Sequence, residues 1–322
     1  MESRRTKEFL ELRLPAHIQG GGLKQNMKAR NKACAALVAG AMMLSLMACA
    51  DSDYDFDAYD DSLGSANRLE GTTMIVSVFA DDIHYKWNQE SEADQQTIAD
   101  IDTYLGIATD YLTGAAAEYG KEADFVYDFK EHEDLAYFTT FDVDTTLEGC
   151  ADAEDSMNRF ISEQVDSDAL RHKYKADNII YFMFINTDEE STGYSCTRNF
   201  YEGMPYPYEV VFMYNIDSGV KNCPAVYAHE MLHAYGAPDL YYEDTEYGLS
   251  TEFLDYVSTD MANDIMYYCS DMETGEYVYD RVTNELSELD AYYVGLTDEC
   301  PLVEQFHLKE SQHITHAREL AE

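Results

Sequence analysis

The sequence predicts an α/β fold: a mixed, twisted sheet with helices packed against it and a small, irregular lower subdomain. Three observations predict it. Two apolar runs, residues 72–79 (TTMIVSVF) and 178–185 (NIIYFMFI), are rich in β-branched and aromatic residues and read as buried strands. Between them, residues 92–119 place Ile98, Ile101, Leu105, Ala108 and Leu112 at helical spacing and stop before Gly120. After Tyr241 regular patterning gives way to a stretch dominated by Tyr and Asp, residues 241–281.

The N-terminal 48 residues read as a secretory signal rather than as part of the fold. Residues 1–26 hold scattered basic residues and a Gly20-Gly21-Gly22 run, and Met27-Lys28-Ala29-Arg30-Asn31-Lys32 reads as a fresh start, so translation is expected to begin at Met27. An uncharged run over residues 33–47 follows and closes on Leu46-Met47-Ala48-Cys49. A basic n-region, a short apolar stretch and a small residue before the cut describe a signal peptide. The run falls short of the ~20 residues that a membrane span needs. Cys49 after Leu-x-Ala resembles the lipobox of bacterial lipoproteins. That resemblance implies a lipid on Cys49 and a protein on the extracellular face of a bacterial membrane, touching the membrane only through its anchor.

Residues 1–48 carry 8 of the 21 Lys and Arg and 3 of the 63 Asp and Glu, leaving 13 basic and 60 acidic residues in residues 49–322, a formal charge of −47. So acidic a chain repels nucleic acid and anionic membrane surfaces, and both are excluded as partners. Residues 49–66 interleave Asp51, Asp53, Asp55, Asp57, Asp60 and Asp61 with Ser, Gly and Tyr and read as an extended, self-repelling linker. Residues 67–322 are long enough to bury the core of one domain, expected to be monomeric.

Within that domain, residues 125–129 and 135–141 read as two more strands, 151–175 as a second long helix, and 209–214 as a short strand. A helix should start after Asn222, with Pro224 in its first turn, where a missing N–H costs little. Residues 283–295 read as a C-terminal helix with Leu286, Leu289 and Tyr293 on one face, and His307, His313 and His316 as part of an exposed, frayed tail. Cys150, Cys196, Cys223, Cys269 and Cys300 lack any C-x-x-C pair, and in an exported protein they suggest one or two disulfides.

The helix after Asn222 carries His229-Glu230-Met231-Leu232-His233, continued as Ala234-Tyr235-Gly236-Ala237-Pro238-Asp239-Leu240-Tyr241. Residues i and i+4 share one helix face, so His229 and His233 can aim at one ion with Glu230 beside its open position. Gly236 can end the helix in a left-handed conformation, and the chain then returns Asp239 as a third ligand.

The unit H-E-x-x-H-x-x-G-x-x-D resembles the zinc signature of the metzincin metallopeptidases, with aspartate for their usual third histidine. The continuation G-x-P-D-x-Y is closer still to secreted bacterial peptidases similar to immune inhibitor A. Downstream, Asn263-Asp264-Ile265-Met266-Tyr267-Tyr268 resembles the metzincin Met-turn. The resemblance implies a zincin-type α+β fold, with sheet and helices above an active-site helix and the Met-turn in the lower subdomain. It also implies Zn²⁺ held by His229, His233 and Asp239, Glu230 as general base, Met266 beneath the metal and Tyr268 as oxyanion donor. The expected activity is hydrolysis of peptide bonds in a peptide or protein substrate. The rival expectation is a zinc-containing surface lipoprotein that binds peptide or glycan without cleaving it. Glu230 speaks against that rival, because a structural site closes its fourth position with His or Cys.

Overall fold

The computed structural model describes residues 61–145, 150–200 and 204–321. The expected signal peptide, Cys49 and most of the expected linker lie outside the described residues.

The longest strand, β1 (Gly71–Asp81), is the axis of a six-stranded mixed sheet. Its first half pairs with β2 (Ala123–Val126) and its second half with β3 (Ala136–Thr140), both parallel and on the same edge. On its other edge runs β4 (Asn178–Ile185), parallel and buried along its whole length, followed by parallel β6 (Glu209–Tyr214). The sheet ends in β5 (Cys196–Arg198), antiparallel to β6.

Alternation along the strands divides the core in two. Ile75, Phe79, Ile180, Phe182, Phe184, Val211 and Met213 face one way, against α1 (Glu92–Glu118) and α4 (Pro224–Ala234). Met74, Val76, Val78, Tyr181, Met183 and Phe212 face the other way, against α2 (Cys150–Gln164) and α3 (Ser167–Tyr174). Sheet-on-helix layering on both faces explains why β4 reads as an unbroken apolar run.

Helix α4 is buried nearly all round, from Pro224 at its first turn to Ala234. It ends at Gly236, whose φ of +102° is the left-handed turn expected of it. A Cβ there would meet only the flexible end of Gln312, at 2.9 Å from Nε2, so it is the backbone conformation that favours glycine. Below the sheet, β7 (Ile216–Asp217) and β8 (Val220–Lys221) form a small hairpin before α4.

Several expectations need correction. The single helix over 151–175 is two, because Asp166 turns the chain and caps α3 by accepting from the Ala169 amide. The helix over 283–295 shortens to α6 (Glu288–Tyr293), started by a Ser287–Asp290 capping box. The irregular stretch 241–281 contains α5 (Thr251–Asp260), capped by Ser250. The tail is ordered into α7 (Pro301–Phe306) and α8 (Gln312–Glu319), and His313 is 2% exposed rather than frayed. Burial and the Arg68 charge lower the His313 pKa to about 4.

Cys196, Cys223, Cys269 and Cys300 are thiols and not half-cystines, so the expected disulfides are absent among them. The Cys223 thiol donates to the Cys269 carbonyl at 3.4 Å, and the Cys269 thiol to the Ile265 carbonyl at 3.6 Å.

Candidate metal centre

His229, His233 and Asp239 come together at the C-terminal end of α4. Their inward atoms form a nearly equilateral triangle: His229 Nε2 to His233 Nε2 is 3.1 Å, His233 Nε2 to Asp239 Oδ1 is 3.1 Å, and His229 Nε2 to Asp239 Oδ1 is 3.2 Å. A four-coordinate ion with bonds of ~2.0–2.1 Å spaces its ligands about 3.3 Å apart, so the triangle fits such an ion.

The outer ring nitrogens are fixed as well. His229 Nδ1 lies 2.9 Å from the Ile265 carbonyl, and His233 Nδ1 lies 2.7 Å from the Ala237 carbonyl. A carbonyl can only accept, so each Nδ1 carries the hydrogen and each Nε2 offers a lone pair to the centre. The turn at Gly236 supplies one of these carbonyls and swings Asp239 under the helix. Glu243 and Asp244, the other nearby carboxylates, accept instead from the Thr251 hydroxyl and the Glu246 amide.

The charges also suit a cation. Burial alone would lower both imidazole pKa values, but the Cys269 sulfur and Asp239 carboxylate hold His229 well above its ordinary range, and Asp239 raises His233. Burial would raise the Asp239 carboxyl, yet the two imidazoles hold it far below the usual carboxylate range. The three groups thus favour positive charge at their centre.

The segment that resembles a Met-turn is stitched to this centre. Asp264 Oδ1 accepts from the Met266 amide at 2.7 Å, and the Asp264 carbonyl from the Tyr267 and Tyr268 amides at 3.1 and 2.9 Å, closing a tight turn. Ile265 holds His229, and the Met266 carbonyl accepts from the Leu240 amide at 3.0 Å, one residue past Asp239. Met266 is fully buried, and Tyr268 is half-buried at the end of the turn.

No protein-family model matches the chain, and neither a curated protein nor a solved structure matches it. What the site can do rests on its own residues.

Sequence reasoning gave no role to three of the neighbours, Tyr241, Thr197 and Asn199. Tyr241 hydrogen-bonds Asp239 and stacks over His229 with ring centroids 6.5 Å apart; burial and the Asp239 and Glu230 carboxylates push its hydroxyl pKa well up. Thr197 Oγ1 lies 2.8 Å from both Glu230 Oε2 and the Glu230 carbonyl. Asn199 Nδ2 donates to the His233 carbonyl, and Cys269 hydrogen-bonds His229. Tyr241 was visible in the G-x-P-D-x-Y string. Thr197 and Asn199 had no sequence signal, because only the pairing of β5 with β6 brings them to α4.

Proposed function

We propose that the chain is a zinc-dependent endopeptidase of zincin type, exported and lipid-anchored through Cys49. One observation carries the metal assignment: both Nδ1 atoms are occupied by backbone carbonyls, so both Nε2 lone pairs converge with Asp239 Oδ1 on one point. Three protein ligands with an open fourth position is the donor set of a catalytic rather than a structural zinc. Bound there, the ion would supply a Lewis acid and lower the pKa of a coordinated water.

The chain's own residues then do the rest. Glu230, next to His229 and 4% exposed, takes a proton from the attacking water and delivers it to the leaving amine. Tyr241 and the two backbone carbonyls hold the ligands in place. Tyr268 donates to the developing oxyanion. A peptide in extended form can pair with β5, the last strand of the sheet, whose Thr197 touches Glu230. The acidic surface favours neutral or cationic peptides and speaks against nucleic acid.

The test is cleavage of a mixed peptide library by zinc-loaded wild type and Glu230→Gln at equal zinc occupancy. The variant should keep its metal and bind peptide while turnover falls ~10²–10⁴-fold. Zinc-loaded wild type that binds peptides and cleaves none would make the protein a binding module instead.

A further inference from the structure

Thr197 Oγ1 has one hydrogen to give and two oxygens at the same distance, Glu230 Oε2 and the Glu230 backbone carbonyl, each at 2.8 Å. Two oxygens cannot both accept that one hydrogen at full strength. The hydroxyl is thereby held between the side chain and the backbone of one and the same residue.

We propose that Thr197 is a positioning residue for Glu230, its hydroxyl holding the carboxyl in place beside the metal centre. The proposal rests on the peptidase reading, in which Glu230 gains a proton from water and loses it to the leaving amine in every turnover.

The fold presets this contact. Thr197 stands opposite Val211 in the β5–β6 register, and Val211 faces the α4 side of the sheet, so the Thr197 side chain is aimed at the metal helix. A β-branched residue has restricted χ1 freedom on a strand, which limits the search for that geometry. Two residues on, Asn199 holds the His233 carbonyl. Strand β5 and the residue that follows it thereby grip the same helix beside its base and beside its second histidine. Misplacing a reacting group by about 1 Å can cost on the order of 10²-fold in rate.

Thr197→Val removes the hydroxyl and keeps the shape; Thr197→Ser keeps the hydroxyl and removes the methyl. Each zinc-loaded variant is assayed for metal content, kcat and KM, and its crystal structure is determined beside that of wild type. Thr197→Val should retain its zinc and keep KM within about twofold, lose about tenfold or more in kcat, and show the Glu230 carboxyl displaced by about 1 Å or more. Thr197→Ser should restore most of kcat and return the carboxyl to its place. A Thr197→Val enzyme with wild-type kcat, or with Glu230 unmoved, overturns the proposal. A serine variant as slow as the valine one overturns it too, since the methyl and not the hydroxyl would then matter. If zinc-loaded wild type cleaves nothing, the peptidase reading fails, and with it the part of Thr197 in turnover. The crystal structures then decide separately whether Thr197 positions Glu230.

Discussion

Asp264 and Asp290 hydrogen-bond each other through carboxyl groups that are at most 3% exposed. Each anchors one oxygen on a backbone amide, Asp264 on Met266 at 2.7 Å and Asp290 on Ser287 at 3.0 Å. The remaining oxygens, Asp264 Oδ2 and Asp290 Oδ1, meet no N–H or O–H of another residue. Such a pair is stable only with a proton between its members. Burial raises Asp264 to about 6 and, with the Asp264 charge, raises Asp290 well above the carboxylate range.

A carboxyl pKa raised by folding stabilises fully below the unfolded value, ~4, and the contribution is lost as pH rises through the folded value. The metal-free protein should therefore lose Tm as pH rises from about 4 through about 6 and above, as the pair ionises. The imidazoles of His229 and His233, also raised, push in the same direction. Asp290→Asn, whose amide can donate to Asp264 without a proton, should show a flatter profile over that window. Parallel profiles for the two proteins in thermal melts would count against a shared proton.

The third ligand is testable by metal analysis. Asp239→Ala should lose more than ~100-fold in zinc affinity at neutral pH while keeping most of its secondary structure by circular dichroism. Glu243 and Asp244 are not expected to substitute, because their side chains hold the loop that leads to α5.

Two tyrosines should separate by phenotype. Tyr241→Phe removes a hydroxyl that orients Asp239 and should lower zinc affinity by ~10–100-fold. Tyr268→Phe should leave zinc content unchanged and lower kcat on the order of 10²-fold if its hydroxyl is an oxyanion donor. Metal titration and steady-state kinetics on both variants distinguish the roles.

Metal binding should release protons. In the metal-free protein the pKa values of His229 and His233 are raised, that of His229 well above its ordinary range, whereas that of Asp239 is lowered. Calorimetry at pH 7 in buffers of different ionisation enthalpy should report release of roughly one to two protons per zinc. Release of none would mean that the two imidazoles are neutral before the ion arrives.

Cys49 is tested in the cell. Cys49→Ser should appear as soluble exported protein or uncleaved precursor, and wild type should label with a fatty-acid probe. Wild type that carries no lipid and stays in the cytosol would remove the anchor.

The strands β4 and β6 were legible to the residue and the start of α4 to within one, because buried parallel strands are continuous apolar runs and Pro224 marks a helix start. The two histidines and Asp239 were legible because their spacing alone, four residues on a helix and then a glycine turn, brings them together. What could not be read depends on distant partners. Strand β5 is three residues without a period and exists through its pairing with β6. His313 looks like a polar tail residue, and only the fold places it 3.4 Å from the Tyr235 carbonyl. The break before α3 was the exception: Asp166-Ser167-Asp168 carries a capping signal that the apolar spacing on either side obscured.

The same closeness of α8 to the metal motif sets the order of assembly. Gln312 packs on Gly236, and His313 reaches Tyr235, so the turn that delivers Asp239 is covered by a segment near the opposite end of the chain. A polypeptide emerging from the ribosome or an export channel N-terminus first exposes both histidines and the aspartate well before that cover arrives. The turn is thereby covered only once α8 has docked, on the far side of the membrane if the chain is exported unfolded. The metal it acquires would be drawn from that compartment's supply and not from the cytosol's.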